Sequence, residues 1–465
     1  MRELRVTTLR GGETTLQNTV LADLKAHCRG PVLLPGDDGY DTTRQLWNGM
    51  LDKRPALIAR CTGVADVLAC VNFARPHNVL VAVRGGDHSV AGNASCHGGL
   101  MLDLSLMKSV RVDPVKQTAR AGGGSRWGDF DHETQTFGLA TTGGINSDTG
   151  IAGLTLGGGL GWLAGKYGLA CDNLLSADVV TADGRLLTAS ATENQDLFWG
   201  LRGGSGNFGV VTSFEYQLHR VGPVLAGMVV YPFERAKEVL RFYSDFSTAI
   251  PDEVNTLGAL LTTPEGIRVA AIAVCYNGAL AEGEKILRPL REFGPPLADQ
   301  ISPMPYTALQ SMMDPTFPRG RQYYWKASLM NHISDEAINI MIEHFSAVPS
   351  PHTLMGFQQL GNAANRVSGD ATAFSHRDAL YDFLMLSAWE DSAEAERNVQ
   401  WTRALDNAIQ PCLHGGIYVN AFTEDSKQGL RDAYRPETYA RLVALKNKYD
   451  PTNFFRINPN IQPTV

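Results

Sequence analysis

The chain has 465 residues, of which 44% are apolar and 19% are charged, a balance typical of globular proteins. At roughly 150 residues per domain, this length predicts two or three domains. The net charge of −7 offers no basic surface for nucleic acid or an anionic membrane, and no apolar run is long enough to span a bilayer. The first residues lack the apolar segment of a signal peptide, so we expect a cytoplasmic protein without nucleic-acid or membrane partners.

The cysteines and histidines form no metal or disulfide pattern. The seven cysteines are an odd number without a CxxC pair, and a chain of this length rarely depends on a disulfide framework. The eleven histidines are scattered and form no HExxH motif. We therefore expect reduced, mostly buried thiols and no metal site.

Short strands and helices alternate along the first half of the chain, and glycine-rich turns recur from Arg84 to Gly209. Apolar spacing near 3.6 predicts helices, and β-rich runs bounded by turn residues predict strands. In chain order we expect strand 56–59, helix 64–74, strands 80–83, 99–103 and 118–122, helix 127–136, a hairpin of 177–181 with 186–188, and strand 210–218.

Residues 223–413 contain fewer glycines and predict a different arrangement. Alternating strands such as 268–276 and amphipathic helices such as 335–345 favour a sheet with helices on one face. A last helix is expected to end near Lys448, before a proline-containing extended tail.

Two glycine-rich segments could hold an anion. VRGGDHSVAG at 83–92 follows a predicted strand, and its glycines let backbone N–H groups approach a pyrophosphate closely. TGIAGLTLGGGLG at 149–161 suits a backbone folded against a flat or extended ligand. The alternative is a tight surface turn for the first segment and a glycine-rich turn between packed elements for the second.

A third segment, GSGNFG at 204–209, fits GxGxxG literally. A dinucleotide-binding motif needs a strand before it and a helix after it. Here the helical pattern 196–199 precedes the motif and the strand pattern 210–212 follows it, so we reject that interpretation. Because GxxxxGK[ST] is also missing, the residues by themselves predict a soluble α+β protein with a glycine-rich anion or nucleotide site.

Six segments occur in a characteristic order along the chain. They are RPALIARC (54–61), VRGGDHSVAG (83–92), GGLMLDLSLM (98–107), GGGLGWLAGKYGLACDN (157–173), ENQDLFWGLRGGSGNFGVVTSF (193–214) and KYDPTNFFRINPNI (448–461). Taken together, they resemble the berberine-bridge-enzyme-like branch of the vanillyl-alcohol-oxidase/p-cresol-methylhydroxylase superfamily, with bacterial members such as 6-hydroxynicotine oxidase and the enterocin-pathway Favorskii flavoenzyme. The resemblance covers nearly the whole chain, and the joint match is specific although each glycine motif alone is weak.

The resemblance implies an α+β protein of two domains, with a p-cresol-methylhydroxylase-type FAD-binding fold and a β-sheet substrate domain backed by helices. Residues 1–220 would form the FAD-binding domain and 221–415 the substrate domain. Residues 416–465 would return to the FAD domain.

FAD is the cofactor that the resemblance implies, bound covalently through His88. Many members carry a second flavin-linking cysteine at the position of Asn146 in this chain, so the implied linkage is single. The implied FAD contacts lie in the first glycine-rich loop, in the second glycine-rich region and in the C-terminal segment. They are Arg84, Gly85, Gly86, Asp87, His88, Ser89, Asn146, Ser147, Thr149, Gly150, Gly153, Val211, Tyr418, Asn420 and Asn458.

The implied reaction is that of an FAD-linked oxidase, which takes a hydride from a small organic substrate to flavin N5. The implied substrates are aromatic, N-heterocyclic or polyketide-like alcohols, amines or phenols. Oxygen is the expected acceptor, since Thr149 aligns with a position that governs oxygen access. A dehydrogenase with another acceptor, or a non-redox or non-catalytic flavoprotein, remains the alternative, and the sequence leaves the oligomeric state open.

The sequence leaves the identity of the catalytic base undetermined. The tyrosine that many plant relatives use is replaced by Ala421, and Gln358 stands where some bacterial relatives have a glutamate. Tyr418, Tyr324 and Glu390 are the remaining base candidates. Aromatic density further predicts a substrate wall formed by Tyr324, Trp325, Gln358, Tyr381 and Trp389.

Overall fold

Helices and sheets are mixed throughout the structure, a computed structural model that describes residues 3–423 and 429–465. Its strands form five sheets, and the α+β class expected from the sequence is confirmed. The largest sheet is built from residues 224–389, and the other four come from the first 220 residues.

The first large sheet has four strands, of which the three longer ones run parallel. Helix Val64–Ala74 connects two of them and has the bounds that its spacing predicted. Its apolar residues recur every three or four positions, so Val67, Cys70 and Val71 are buried in one core with the sheet. In spatial order the strands are Val32–Leu33, Leu57–Arg60, Leu100–Asp103 and Val81–Arg84.

The second large sheet has five antiparallel strands and contains the predicted hairpin. Ala177 pairs with Ala189 in that hairpin, and Gly184 in its turn has a φ of +79°, a conformation that favours glycine. In spatial order the strands are Leu186–Ser190, Leu174–Val180, Val210–Gln217, Thr118–Gly122 and Val110–Asp113.

The third large sheet has eight antiparallel strands and two faces with different surroundings. One face packs on helices Ala236–Thr248, Leu280–Glu292, Asp335–Ser346 and Ala395–Ile409, as predicted. The other face turns toward the first half of the chain. The path of strands is Ala298–Asp299, Val224–Pro232, Arg268–Tyr276, Val254–Thr262, Leu354–Gln359, Tyr381–Trp389 and Gln322–Met330, with Ser302–Met304 paired to Val224–Pro232.

Shorter elements complete the fold. Two-stranded sheets pair Leu4–Thr7 with Glu13–Leu16 and Leu139–Ala140 with His219–Arg220. In the described residues no helix is long and apolar enough to cross a membrane. The other α-helices are Asn18–His27, Tyr40–Arg44, Trp127–Gln135, Ile151–Leu156, Ala164–Tyr167, Gln195–Leu201, Tyr306–Ser311, Asn362–Arg366 and Pro436–Tyr449, and the 3-10 helices are Ala170–Asn173, Phe233–Arg235, Asp314–Thr316, Ser392–Glu394, Gln410–Cys412, Val419–Ala421 and Leu430–Ala433.

The C-terminal segment packs back onto the first half of the chain. Helix Pro436–Tyr449 places Leu442 and Leu445 in the same core as helix Gln195–Leu201. At its end the fully buried Lys446 Nζ lies 2.7 Å from Asp450 Oδ2 and donates to the carbonyls of Asn207 and Phe455. This ion pair therefore joins the last helix, the tail and the third glycine-rich loop.

We predict that Lys446→Ala lowers the free energy of unfolding by about 3–5 kcal/mol, because it leaves the Asp450 carboxylate buried without its cation. Chemical denaturation followed by circular dichroism measures this change.

Lys448→Ala is the matched control on the same helix. Lys448 pairs with Asp196 at the surface, at 2.6 Å, and such exposed pairs contribute about 0–1 kcal/mol. An equal decrease in the free energy of unfolding in the two variants would contradict the anchoring role of Lys446.

Candidate active site

A large cavity lies between the glycine-rich loops and the face of the eight-stranded sheet that turns toward the first half of the chain. The interior space that a water-sized molecule can occupy is about 340 Å³. Typical small-molecule sites measure roughly 300–1,000 Å³. The cavity therefore has the size of a small-molecule or cofactor site.

Two glycine-rich loops cross at one end of the cavity, where Gly86 meets Gly150. A Cβ atom on Gly86 would lie 2.2 Å from the Cα atom of Gly150, and one on Gly150 would lie 2.6 Å from the Cα atom of Gly86. No residue with a side chain can keep the backbones this close. The crossing leaves exposed backbone along the cavity, which is the kind of surface that a pyrophosphate binds.

The carboxylate of Asp87 anchors the first loop through two arginines. Arg319 donates from both terminal nitrogens to this carboxylate, each at 2.7 Å, and Arg84 donates to the same group. Arg84 also donates to the carbonyl of Thr43. The guanidinium of Arg84 thus stabilises the loop from within and is not part of the cavity wall.

Most of the predicted FAD-contact residues come together in the cavity wall. Ser147 does not, because its backbone N–H and its hydroxyl both donate to Asp314, at 2.9 and 2.5 Å. Ser205, Gly206, Gly209 and Val210 of the rejected GxGxxG segment and its following strand also line the cavity, between helix Gln195–Leu201 and strand Val210–Gln217. The predicted residues in the wall are Gly85, Gly86, Asp87, His88, Ser89, Asn146, Thr149, Gly150, Gly153, Val211, Gln358, Tyr418, Asn420 and Asn458.

Strand alternation decides which residues of the eight-stranded sheet face the cavity. Successive side chains point to opposite faces, so Asp382, Leu384 and Leu386 line the cavity together with Trp325 and Gln358 of the neighbouring strands.

Contrary to the expectation from the sequence, Tyr324 and Tyr381 lie on the helix side of this sheet. The Tyr324 hydroxyl accepts a hydrogen bond from Arg403 on helix Ala395–Ile409, at 3.1 Å, and the Tyr381 hydroxyl lies 2.7 Å from Ser247 Oγ. Both positions follow from the alternation that sends their neighbours into the cavity.

The two other predicted residues of this region also lie outside the cavity wall. Trp389 is fully buried at the end of its strand, and Glu390 pairs with Arg321 and His352 with its side chain 70% exposed. A carboxylate so well solvated and paired is poorly placed to act on a substrate in the cavity.

Asp382 is a cavity residue that the sequence reasoning missed. It is the one charged residue in the nine-residue strand Tyr381–Trp389, whose members are all buried. Burial raises the pKa of its carboxyl to about 8, and its Oδ1 has no hydrogen-bond partner among the described residues. Gln358 lies directly opposite it in the strand register. A single carboxylate within an apolar strand was the available signal.

Tyr418 lies in the cavity wall with its hydroxyl already engaged. The hydroxyl oxygen accepts hydrogen bonds from the Gly159 N–H at 2.9 Å and from Asn420 Nδ2 at 2.8 Å. Burial raises the pKa of Tyr418, so its phenol keeps its proton at neutral pH. These contacts suit a residue that fixes the C-terminal segment against the three glycines at 157–159.

His88 lies in the wall beside the glycine crossing. Its ring stacks on Trp47, with centroids 4.1 Å apart, and its Nε2 lies 3.2 Å from Asp148 Oδ1. The imidazole is therefore held in one orientation at the edge of the cavity.

Two protein families match this chain. Residues 55–190 match the family described as FAD binding domain, and residues 417–462 match the family described as berberine and berberine like. The first match contains His88 and the crossing glycines, and the second contains Tyr418, Asn420 and Asn458. The two matches thus contain the glycine-rich loops and the C-terminal segment that line the cavity, and the eight-stranded sheet lies outside both.

Relatives and solved structures match almost the whole chain. An FAD-linked oxidoreductase of Dictyostelium discoideum is 33% identical, with 93% of this chain and 95% of the relative covered. The (R)-6-hydroxynicotine oxidase of Paenarthrobacter nicotinovorans is 33% identical, with 94% and 97% covered. The crystal structure of 6-hydroxy-D-nicotine oxidase from Arthrobacter nicotinovorans has a TM-score of 0.86 and 31% identity, with 94% of this chain and 98% of that chain covered.

A more distant structure supports the fold alone. The glucooligosaccharide oxidase of Acremonium strictum, described with a 6-S-cysteinyl, 8α-N1-histidyl FAD, has a TM-score of 0.86 at 24% identity. It covers 96% of this chain and 100% of its own.

We predict that Gly86→Ala weakens FAD binding at least about tenfold and destabilises the fold by about 1–3 kcal/mol, because the new Cβ atom forces the two loops apart. The FAD-to-protein absorbance ratio and thermal unfolding measure the two effects.

Variants of two further glycines distinguish a loss of FAD binding from a loss of folding stability. Gly222→Ala should change neither quantity, since a Cβ atom there meets no atom within 4 Å and the residue lies away from the cavity. Gly153→Ala also meets no protein atom within 4 Å but lines the cavity, so it should lower FAD occupancy and leave the protein folded. Full FAD loading in Gly86→Ala would show that the crossing is not part of the FAD site.

Proposed function

The chain belongs to the berberine-bridge-enzyme-like family of FAD-linked oxidoreductases, and we propose that it is an oxidase in which Asp382 takes a proton from a small organic substrate. Bound FAD supplies the acceptor for the substrate's hydride. The remaining chemistry falls to the protein, which must orient the substrate, exclude water and remove the proton.

The observation that carries this proposal is the unpartnered carboxyl of Asp382 in an apolar wall. With a pKa of about 8, the carboxyl exchanges its proton near neutral pH, which suits a general base. Its ionised form can accept the proton of a substrate O–H or N–H group. The Gln358 amide opposite can hold the same polar group by a hydrogen bond.

Apolar side chains around Asp382 support a small, largely apolar substrate. Trp325, Leu384, Leu386 and Phe317 line this part of the cavity and leave few polar groups to bind a sugar chain. We therefore favour an aromatic, N-heterocyclic or polyketide-like alcohol, amine or phenol. The likeness to 6-hydroxynicotine oxidase supports an N-heterocyclic amine within that class.

We propose FAD as a covalently held cofactor, linked through His88 alone. The position of His88 in the cavity wall, beside the crossing glycines, supports this linkage. A second bond through sulfur has no donor, because Asn146 lines the cavity at the corresponding position and no cysteine lies between Cys96 and Cys171.

The arrangement of sheets supports the division of the chain into an FAD-binding domain of residues 1–220, a substrate domain of 221–415 and a returning segment of 416–465. The small Thr149 side chain in the cavity wall favours oxygen as acceptor over a protein carrier. The cytoplasmic location and the likeness to the enterocin-pathway enzyme stay predictions from the sequence.

For a substrate that bleaches the flavin, we predict that Asp382→Asn lowers kcat/KM by about 10²–10⁴-fold, because the amide cannot accept the proton. In the unsubstituted protein kcat/KM should rise with pH and level off above the pKa of Asp382, about 8, since only the ionised carboxylate is active. The variant should lose this rise.

Asp131→Asn is the matched control. Asp131 is also fully buried with a pKa raised to about 7, but it bonds to Gln310 outside the cavity wall. Its substitution should keep both turnover and the pH profile. Unchanged turnover in Asp382→Asn would remove Asp382 from the mechanism.

For the linkage we predict that acid-precipitated protein stays yellow and that its intact mass equals the chain plus one FAD. A peptide containing His88 should carry the flavin, and one containing Asn146 should not. His88→Ala should give a colourless acid pellet while still binding FAD. A colourless pellet from fully loaded unsubstituted protein would disprove the covalent bond without affecting the fold.

A further inference from the structure

The imidazole of His88 is oriented by two independent contacts. Its ring stacks on Trp47 at an interplanar angle of 25°, and Trp47 in turn stacks on Tyr323 with centroids 4.0 Å apart. Trp47 and Tyr323 are both buried, so this stack fixes the plane of the imidazole. The hydrogen bond between Nε2 and Asp148 Oδ1 then fixes the rotation of the ring within that plane.

Asp148 reaches His88 from outside the cavity. His88 is part of the cavity wall and Asp148 is not, although Asn146, Thr149 and Gly150 on either side of it are. The Asp148 carboxylate therefore hydrogen-bonds to Nε2 on the side of the ring that faces away from the cavity. Nδ1 is the ring nitrogen left to form a bond to a group inside the cavity.

The surroundings keep Asp148 ionised. Burial opposes its charge, but the hydrogen bond with His88 and the nearby guanidinium groups of Arg126 and Arg319 hold the pKa of Asp148 below its usual range. An ionised carboxylate accepts a hydrogen bond from the Nε2–H of a neutral imidazole, and in this tautomer the free lone pair of the ring is on Nδ1. The tautomer needed for attack through Nδ1 is thus the one that Asp148 stabilises.

We propose that Asp148 is the positioning residue for flavin linkage: it binds the Nε2–H of His88, directs Nδ1 to the flavin 8α-carbon and takes up the proton that the imidazole releases. The inference rests on the proposed His88 linkage. It adds the residue that orients the imidazole and takes up its proton.

The step balances with molecular oxygen as the oxidant. A bond forms between Nδ1 and the 8α-carbon, and one C–H bond of the 8α-methyl group breaks. The imidazole loses its N–H proton by way of Asp148. Oxygen accepts the two electrons and both hydrogens are recovered in hydrogen peroxide, so the methyl carbon is oxidised and oxygen is reduced.

The test compares covalent with total FAD in purified full-length protein. We expect Asp148→Asn to bind FAD with near-normal total occupancy and to link it about 10²-fold more slowly, because the amide cannot take up the proton. Asp148→Glu should restore part of the rate, which a purely structural role would not predict. The time course after FAD addition is read from the flavin retained in the acid pellet.

Asp314→Asn is the matched control for disturbance of the loop. Asp314 binds the adjacent Ser147 and makes no contact with His88, so this variant should link FAD at the normal rate. In the unsubstituted protein, NMR of the isolated flavin peptide should place the bond at Nδ1, and this measurement requires no variant to fold.

The outcomes separate the two proposals. Unsubstituted protein that releases all its flavin into acid would disprove the linkage and with it the role of Asp148. If the unsubstituted protein is linked, three results would each disprove the role of Asp148 without affecting the linkage. They are equally fast linkage in Asp148→Asn, equally slowed linkage in Asp314→Asn, and a flavin bond at Nε2.

Discussion

The contact between the backbones of Gly86 and Gly150 is the constraint on which the site depends. At 2.2 Å from the Gly150 Cα atom, a Cβ atom on Gly86 has no space, so the two loops can cross only as glycine against glycine. The crossing brings His88 of one loop next to Asp148 and Thr149 of the other. Loops that are distant in sequence therefore form one continuous wall, with Arg84 and Arg319 supporting it through Asp87.

The opposite wall depends on the alternation of strand side chains. The eight-stranded sheet is covered by helices on one face, and its other face closes the cavity. Since both faces of the sheet are buried, a single carboxylate on the cavity face is enough to supply an acid–base group in an apolar wall. Asp382 occupies this position, and its burial among apolar residues raises the pKa of its carboxyl.

The sequence predicted the fold well because its strongest signals are local. The spacing of residues 64–74 predicted a helix with the observed bounds, and the turn at Gly184 predicted the hairpin around it. The order of elements around GSGNFG correctly excluded a dinucleotide-binding motif, although Ser205 and Gly206 still line the cavity. The glycine-rich loops and His88 were found through their resemblance to a family.

The remaining site features depend on long-range geometry. A strand buried on both faces lacks the alternation of polar and apolar residues that would reveal its orientation, so Tyr324 was expected over the flavin and Asp382 was overlooked. Arg84 was expected in the FAD site because of its place in the loop, but the carboxylate of Asp87 draws its side chain inward. The pairing of His88 with Asp148 joins residues 60 positions apart, a separation that carries no sequence signal.

The most direct test of the account is an anaerobic absorbance measurement of the purified, yellow protein mixed with candidate alcohols, amines and phenols. The account predicts that an aromatic or N-heterocyclic member of this set bleaches the visible flavin band, and that admitting air restores the band and yields hydrogen peroxide. A band that no candidate bleaches, or a bleached band that air does not restore, would contradict the assignment as an oxidase.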